Sequence, residues 1–192
     1  MKDLSIEYWS NRYKSDEIGW DLGVISQPIK EYIDKLTDKN ISILIPGCGN
    51  GYEGSYLFNL GFTNIVLLDF AKEPLDKFLK DNPDFPKNQL INEDFFDYEG
   101  KYDLIIEQTL FCAIDPSLRL KYAEKISQLL KPEGKLIGLL FNREFESGPP
   151  FGGNKEEYLI YFSNFFTRIK MEICYNSVLP RKGSELFIQI QH

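Results

Sequence analysis

Histidine is almost missing from this 192-residue chain, and the only one, His192, is the last residue, where chain ends are commonly loosely held. Ser-His-Asp and Cys-His nucleophilic catalysis, histidine metal sites and histidine acid–base chemistry are therefore not expected. Cysteine is scarce too. Cys48, Cys112 and Cys174 are odd in number, widely spaced and without a CxxC pair, which speaks against a disulfide framework and against any metal site. No apolar run approaches the roughly 18 residues that cross a bilayer. The opening Met1-Lys2-Asp3-Leu4-Ser5 lacks a signal peptide's apolar stretch, so a cytoplasmic protein without membrane contact is expected. Positive charge is also in deficit: 22 Lys and Arg stand against 29 Asp and Glu, a net charge of -7. The basic residues are scattered, whereas a nucleic-acid partner demands them clustered against phosphates.

What the chain does have is material for a core. Hydrophobic residues make up 43%, with 15 Phe, 11 Tyr and 2 Trp, a composition that excludes disorder. The length suits one domain over residues 1–192, able to bury about 70% of its unfolded surface. Ile6, Trp9 and Tyr13 recur at three- and four-residue spacing in a helix over 5–14. A loop comes next at 18–23, then Ser26 as the N-cap of a helix with Ile29, Tyr32, Ile33 and Leu36 on one face. Residues 1–37 are expected to form a helical cap within the domain.

Beyond them, apolar segments of strand length (41–45, 64–69, 89–91, 102–107, 135–141) alternate with helical segments (52–60, 73–80, 116–130, 155–165). Near-continuous apolar strands between helices predict a parallel sheet covered on both faces. The last two β-rich runs, 167–175 and 185–191, lie too close for a helical crossover and pair as an antiparallel hairpin. The expected fold is α/β and Rossmann-like, a seven-stranded, mostly parallel sheet with a C-terminal antiparallel hairpin and helices on both faces.

Chemistry concentrates at the carboxyl ends of these strands. The first runs into Pro46-Gly47-Cys48-Gly49-Asn50-Gly51 and then into a helix; such glycines let backbone approach a ligand, and the helix start offers free N–H groups. The spacing is GxGxG, not the GxGxxG of dinucleotide enzymes. Asp69 closes the second strand, 18 residues past Gly51, where a carboxylate can accept from ribose hydroxyls or, alternatively, cap the next helix. Glu93-Asp94-Phe95-Phe96-Asp97 comes after the third strand. It offers an acid to an adenine amino group and an aromatic to its ring, or else is a solvated acidic turn over core aromatics.

The order PGCGNGYE (46–53), LLD (67–69), EDFFD (93–97) and YDLIIEQTLFCAI (102–114) resembles class I S-adenosylmethionine-dependent methyltransferases. WDLG (20–23), FCAIDPSLR (111–119), LLKPEGKLIGLLF (129–141) and SGPPF (147–151) narrow the resemblance to the thiopurine S-methyltransferase superfamily, above all its thiol and halide methyltransferase branch. It extends over about residues 8–183. The resemblance implies S-adenosyl-L-methionine as cofactor, with S-adenosyl-L-homocysteine as product. Trp9 and Trp20 match its aromatic contacts, and Tyr13 stands where a second tryptophan is common. Gly47 would meet the methionine part, Asp69 the ribose, and Asp94 and Phe95 the adenine, with Gly49 also among the cofactor-binding residues. Gln108 falls beside the sulfonium, at a position often tyrosine. Ile45-Pro46 occupies the place where many methyltransferases carry an acid for the cofactor's amino group.

The resemblance implies a small-molecule acceptor: a thiol, bisulfide, thiocyanate, halide or thiopurine-like thiol. A soft nucleophile that arrives ionised needs no strong general base, in keeping with the missing histidine. Phe111, Phe151 and Arg181 are the candidates for the substrate pocket, with a solvated hairpin-turn position as the alternative for Arg181. Phe151 stands where the branch commonly has tyrosine, in a long loop over 144–154 that reads as a lid. Two other readings stay open, a non-catalytic cofactor- or partner-binding module on the same fold and a nicotinamide-dependent oxidoreductase. GxGxG and the lack of room for a catalytic domain disfavour the latter. No feature demands a partner chain, so a monomer is compatible with the sequence.

Overall fold

The first strand, β1 (Ile43–Pro46), is buried at every position, which places it in the middle of the sheet. In the computed structural model, which describes residues 4–192, it is flanked on one side by β2 (Ile65–Asp69) and β3 (Leu90–Asn92). On the other side lie β4 (Tyr102–Gln108), β5 (Leu130–Phe141), β7 (Glu185–Gln191) and β6 (Arg168–Ile173). The pairs among β1 to β5 are parallel, whereas β7 runs antiparallel to both β5 and β6. The predicted mostly parallel sheet with its terminal hairpin is therefore present.

Helices cover both faces: α1 (Ile6–Lys14), α2 (Gln27–Ile33), α3 (Tyr52–Asn59), α4 (Lys72–Asp81), α5 (Leu110–Ala113), α6 (Arg119–Leu129) and α7 (Lys155–Phe162). Alternate strand residues feed opposite cores. Leu44, Ile105 and Leu136 pack with Tyr122, Ile126, Tyr158 and Phe162 of α6 and α7. Ile43, Ile45 and Ile106 pack with Ile29, Ile33, Leu57 and Phe78 of α2, α3 and α4. Because the chain leaves β1 for β2 and β3 and then returns to β4 on the other side, a crevice opens at the carboxyl ends of β1 and β4, the switch point where such sheets bind ligands. Among the described residues no helix is long and apolar enough to cross a membrane.

Three local features differ from the sequence pattern. Ser26 precedes α2, but its hydroxyl makes no capping bond; it donates to Gln108 Oε1 at 2.6 Å, a tertiary partner that no local pattern reveals. Strand β5 begins at Leu130 rather than 135, because Leu130 pairs with Tyr102 before a register shift brings Lys135 opposite Leu104. The four-residue α5 is too short to leave a periodic signal.

Candidate active site

The turn after β1 is built for close approach. Gly47 has φ +58°, and a Cβ there would lie 2.9 Å from the Leu110 Cβ; Gly49 has φ +51°, and a Cβ would lie 3.0 Å from the Tyr13 hydroxyl. Both the left-handed backbone and the contacts select glycine. Asp69, 6% exposed at the end of β2, straps this turn. Its Oδ2 accepts from Gly49 N at 3.0 Å and its Oδ1 from Ala71 N at 2.9 Å. Burial pushes its pKa up to about 6, against the pull of those backbone donors. The N-cap position of α4 is Ala71, not Asp69.

A cavity of about 500 Å³ lies over these strand ends. On one side it is lined by Gly47, Asp69, Phe70 and the segment from Glu93 to Phe96. Asp94 Oδ1 accepts from Phe96 N at 2.8 Å, which fixes the acidic turn, and the Phe95 ring packs against Phe96 and Tyr122. The roof is aromatic. Trp20 meets Trp9 and Tyr13 edge-on at 5.3 and 5.7 Å between ring centroids, and the Arg12 guanidinium lies 5.3 Å over the Trp20 ring. Lys14 anchors α1 to α4 through Glu73 at 3.1 Å.

The opposite side is formed by the end of β5, the loop after it and the turn between β6 and β7. Phe141, Arg143, Phe145, Pro149, Pro150, Pro180 and Arg181 line it. Arg181 donates to the Trp20 carbonyl at 2.7 Å and pairs with Glu185 at 3.4 Å. It is thus a fixed wall residue joining the aromatic roof to the hairpin. Cys112 also lines the cavity. Burial and the nearby Glu107 carboxylate push its thiol up to about 12, so it stays protonated.

Trp9, Tyr13, Trp20, Gly47, Asp69, Asp94, Phe95 and Arg181 thus share one cavity. Gly49 and Gln108 line a small adjoining annex of about 50 Å³. Phe111 and Phe151 line neither space, a correction to the sequence-based expectation. Phe111 is 1% exposed, with its ring against Tyr122, Tyr158 and Phe162 at 5.1 to 5.8 Å, and so belongs to the core. Phe151 serves through its backbone: its N–H donates to Cys112 O at 2.7 Å and its carbonyl accepts from Arg119 at 3.2 Å. The sequence reading missed Arg12, Cys112, Phe141 and Arg143 as cavity residues. Arg143 was within reach, since it lies just past the carboxyl end of β5, where ligands bind.

Residues 4–188 match the family model described as Thiopurine S-methyltransferase. Over 192 residues the chain is 32% identical to a probable thiol methyltransferase 2 of Arabidopsis thaliana, covering 96% of this chain and 84% of the relative. It is 28% identical over 186 residues to thiocyanate methyltransferase 1 of Brassica oleracea, covering 92% and 81%. A solved Burkholderia thailandensis 1,6-didemethyltoxoflavin-N1-methyltransferase, with bound 1,6-didemethyltoxoflavin and S-adenosylhomocysteine, shares the fold with a TM-score of 0.73. The identity is 13%, over 97% of this chain and 86% of the other. The chain belongs to the thiopurine S-methyltransferase family and is an S-adenosylmethionine-dependent methyltransferase.

Proposed function

We propose that this family member methylates a small soft nucleophile that arrives already ionised: a thiolate, bisulfide, thiocyanate, a halide or a thiopurine-like thiol. The observation that carries this reading is the character of the cavity wall beyond the glycine turn. Arg12, Arg143 and Arg181 line it among aromatic and proline surfaces, no histidine is present except His192, which stacks on Phe166, and Cys112 stays protonated. Guanidinium groups attract an anion despite the net charge of -7. Asp115, which also lines the cavity, accepts from Ser117 N and Oγ, and those hydrogen bonds hold its carboxyl below the usual range, so a neutral oxygen or nitrogen acceptor gains little help in losing its proton. The names of the relatives, thiol and thiocyanate methyltransferases, favour the same class.

The chain's own residues suit the cofactor. Gly47 and Gly49 admit the methionine part against the backbone, Asp69 presents carboxylate oxygens to the ribose hydroxyls, and Asp94 and Phe95 take the adenine. Bound S-adenosylmethionine supplies a methyl group activated by its sulfonium charge. Trp9, Tyr13 and Trp20 face that region with ring surfaces that attract cations, and Gln108 approaches it from the end of β4. The segment over 4–37 acts as the cap that keeps water out, while the arginine wall aligns the acceptor for in-line attack.

The test is S-adenosylhomocysteine release by the purified protein with S-adenosylmethionine and, separately, iodide, thiocyanate, bisulfide and an aromatic thiol, beside a phenol and an aniline of the same ring. Release above background with at least one soft acceptor, and none with the phenol or aniline, is the expected result. Turnover confined to the phenol or aniline contradicts the reading. So does tight S-adenosylhomocysteine binding without turnover of any soft acceptor, which marks a non-catalytic module.

A further inference from the structure

The annex beside the glycine turn holds a buried carboxyl group with no partner among the described residues. It shares Tyr13, Trp20, Gly47 and Thr109 with the main cavity and is lined besides by Asp21 and Glu53. Glu53, the second residue of α3, is 6% exposed. No other described residue donates a hydrogen bond to its carboxylate or pairs with it, and burial pushes its pKa up to about 7, with only its own backbone N–H opposing. A buried carboxylate without a partner is costly. Asp21 is the second acid. Its Oδ1 accepts from Gly23 N at 2.5 Å, and its Oδ2 accepts from Tyr52 Oη at 3.2 Å and from the Asn50 amide, so it is held in place facing the same space. Among the described residues no Lys or Arg lines the annex.

We propose that Glu53 and Asp21 form the subsite for the α-ammonium group of the cofactor's methionine end. The proposal rests on the S-adenosylmethionine reading of the main cavity. Two carboxylates without a counter-charge call for a cation, and a space of about 50 Å³ admits a group the size of an ammonium or a water molecule or two, not a ring. The annex adjoins Gly47, where the methionine part is placed. At the same place Ser26 Oγ occupies Gln108 Oε1, leaving the Gln108 amide NH2 as donor for the adjacent α-carboxylate. Thr109 separates the two spaces with φ +74°, a strained backbone of the kind that persists at binding sites.

Three ligands test this by calorimetric titration: S-adenosylhomocysteine, its deamino analogue lacking only the α-amino group, and 5′-methylthioadenosine, which lacks the whole amino-acid end. The native protein is expected to prefer S-adenosylhomocysteine to the deamino analogue by roughly 10-fold or more, the range of a charge-assisted contact. Glu53→Gln and Asp21→Asn are expected to erase most of that preference while leaving 5′-methylthioadenosine affinity within about two-fold. Unliganded Glu53→Gln is expected to melt no lower than the native protein, because it removes an unpaired buried charge. Equal native affinity for S-adenosylhomocysteine and its deamino analogue overturns the subsite, and this holds whether or not the variants fold. A Glu53→Gln protein that weakens all three ligands alike assigns Glu53 a purely structural role and overturns it too. Native protein that binds 5′-methylthioadenosine but shows no such preference leaves the cofactor reading standing; failure to bind any of the three removes both.

Discussion

Asp69 does two jobs with two oxygens. One lone pair on each holds the turn, through Gly49 N and Ala71 N, and a carboxylate retains further acceptor sites for ribose hydroxyls. Asp69→Ala is therefore expected to weaken 5′-methylthioadenosine binding by about 1–3 kcal/mol, roughly 5- to 150-fold. The pH dependence has a definite sign. Burial raises the folded pKa to about 6, and hydroxyl donors require the ionised form, so affinity is lost as pH falls through about 6, by up to about 10-fold per unit. 5′-methylthioadenosine isolates this effect because it carries no ammonium to sense Glu53. An affinity constant from pH 5 to 7.5 contradicts the placement of the ribose. Asp69 was legible because a carboxylate at a strand's end, after a glycine turn, has few other uses. Phe111 was not: on a helix of four residues, neighbours Phe111 and Cys112 are both buried and point about 100° apart, and no period tells which one meets the cavity.

Among the elements, Arg119 at the start of α6 does the most to fix the cavity wall. It is 1% exposed; Nη1 pairs with Glu157 of α7 at 2.7 Å, Nη2 donates to Gly152 O at 2.8 Å, and the guanidinium lies 4.9 Å over the Phe111 ring. The same loop is closed by Gly153 N donating to Arg143 O at 3.0 Å. The segment over 144–154, read from sequence as a lid, is thus tied to two helices and to the end of β5. Arg119→Ala is expected to destabilise the fold by about 2–4 kcal/mol, because it removes a fully buried side chain and leaves the Phe151 and Gly152 carbonyls without their donor. Amide exchange at 151–153 should accelerate more than in β1. Denaturation within about 0.5 kcal/mol of native would show that the tie is redundant. Strands were legible because burial on both faces makes them continuously apolar. The ties of the loop were not, since they run through backbone carbonyls that carry no residue code.

At the scale of the molecule, the sequence pattern announced seven strands and a terminal hairpin, but not the order β3-β2-β1-β4-β5-β7-β6 that opens the crevice. Nor did it reveal that four carboxylates, Glu53, Asp69, Glu107 and Glu185, are buried near the strand ends. Glu107 accepts from Phe111 N at 3.0 Å and from Tyr122 Oη, yet burial still raises it from 4.5 to about 7. A group raised in the folded state contributes stability that is complete below its unfolded pKa and is lost as pH rises through the folded one. Relative to the native protein, Glu107→Gln is therefore expected to gain stability between about pH 4.5 and 7 and then level off. Chemical denaturation of both proteins at pH 5 and pH 8 measures this, and a gap that does not change with pH refutes it.

The central claim, transfer to a nucleophile that arrives already ionised, is tested most directly by pH–rate profiles. Two aromatic thiols of the same shape but different thiol pKa are compared at saturating S-adenosylmethionine. The account predicts that the rising limb of kcat/KM shifts with the acceptor, each profile following the ionisation of its own thiol. Two limbs rising at the same pH would reveal a proton acceptor belonging to the protein and contradict the account.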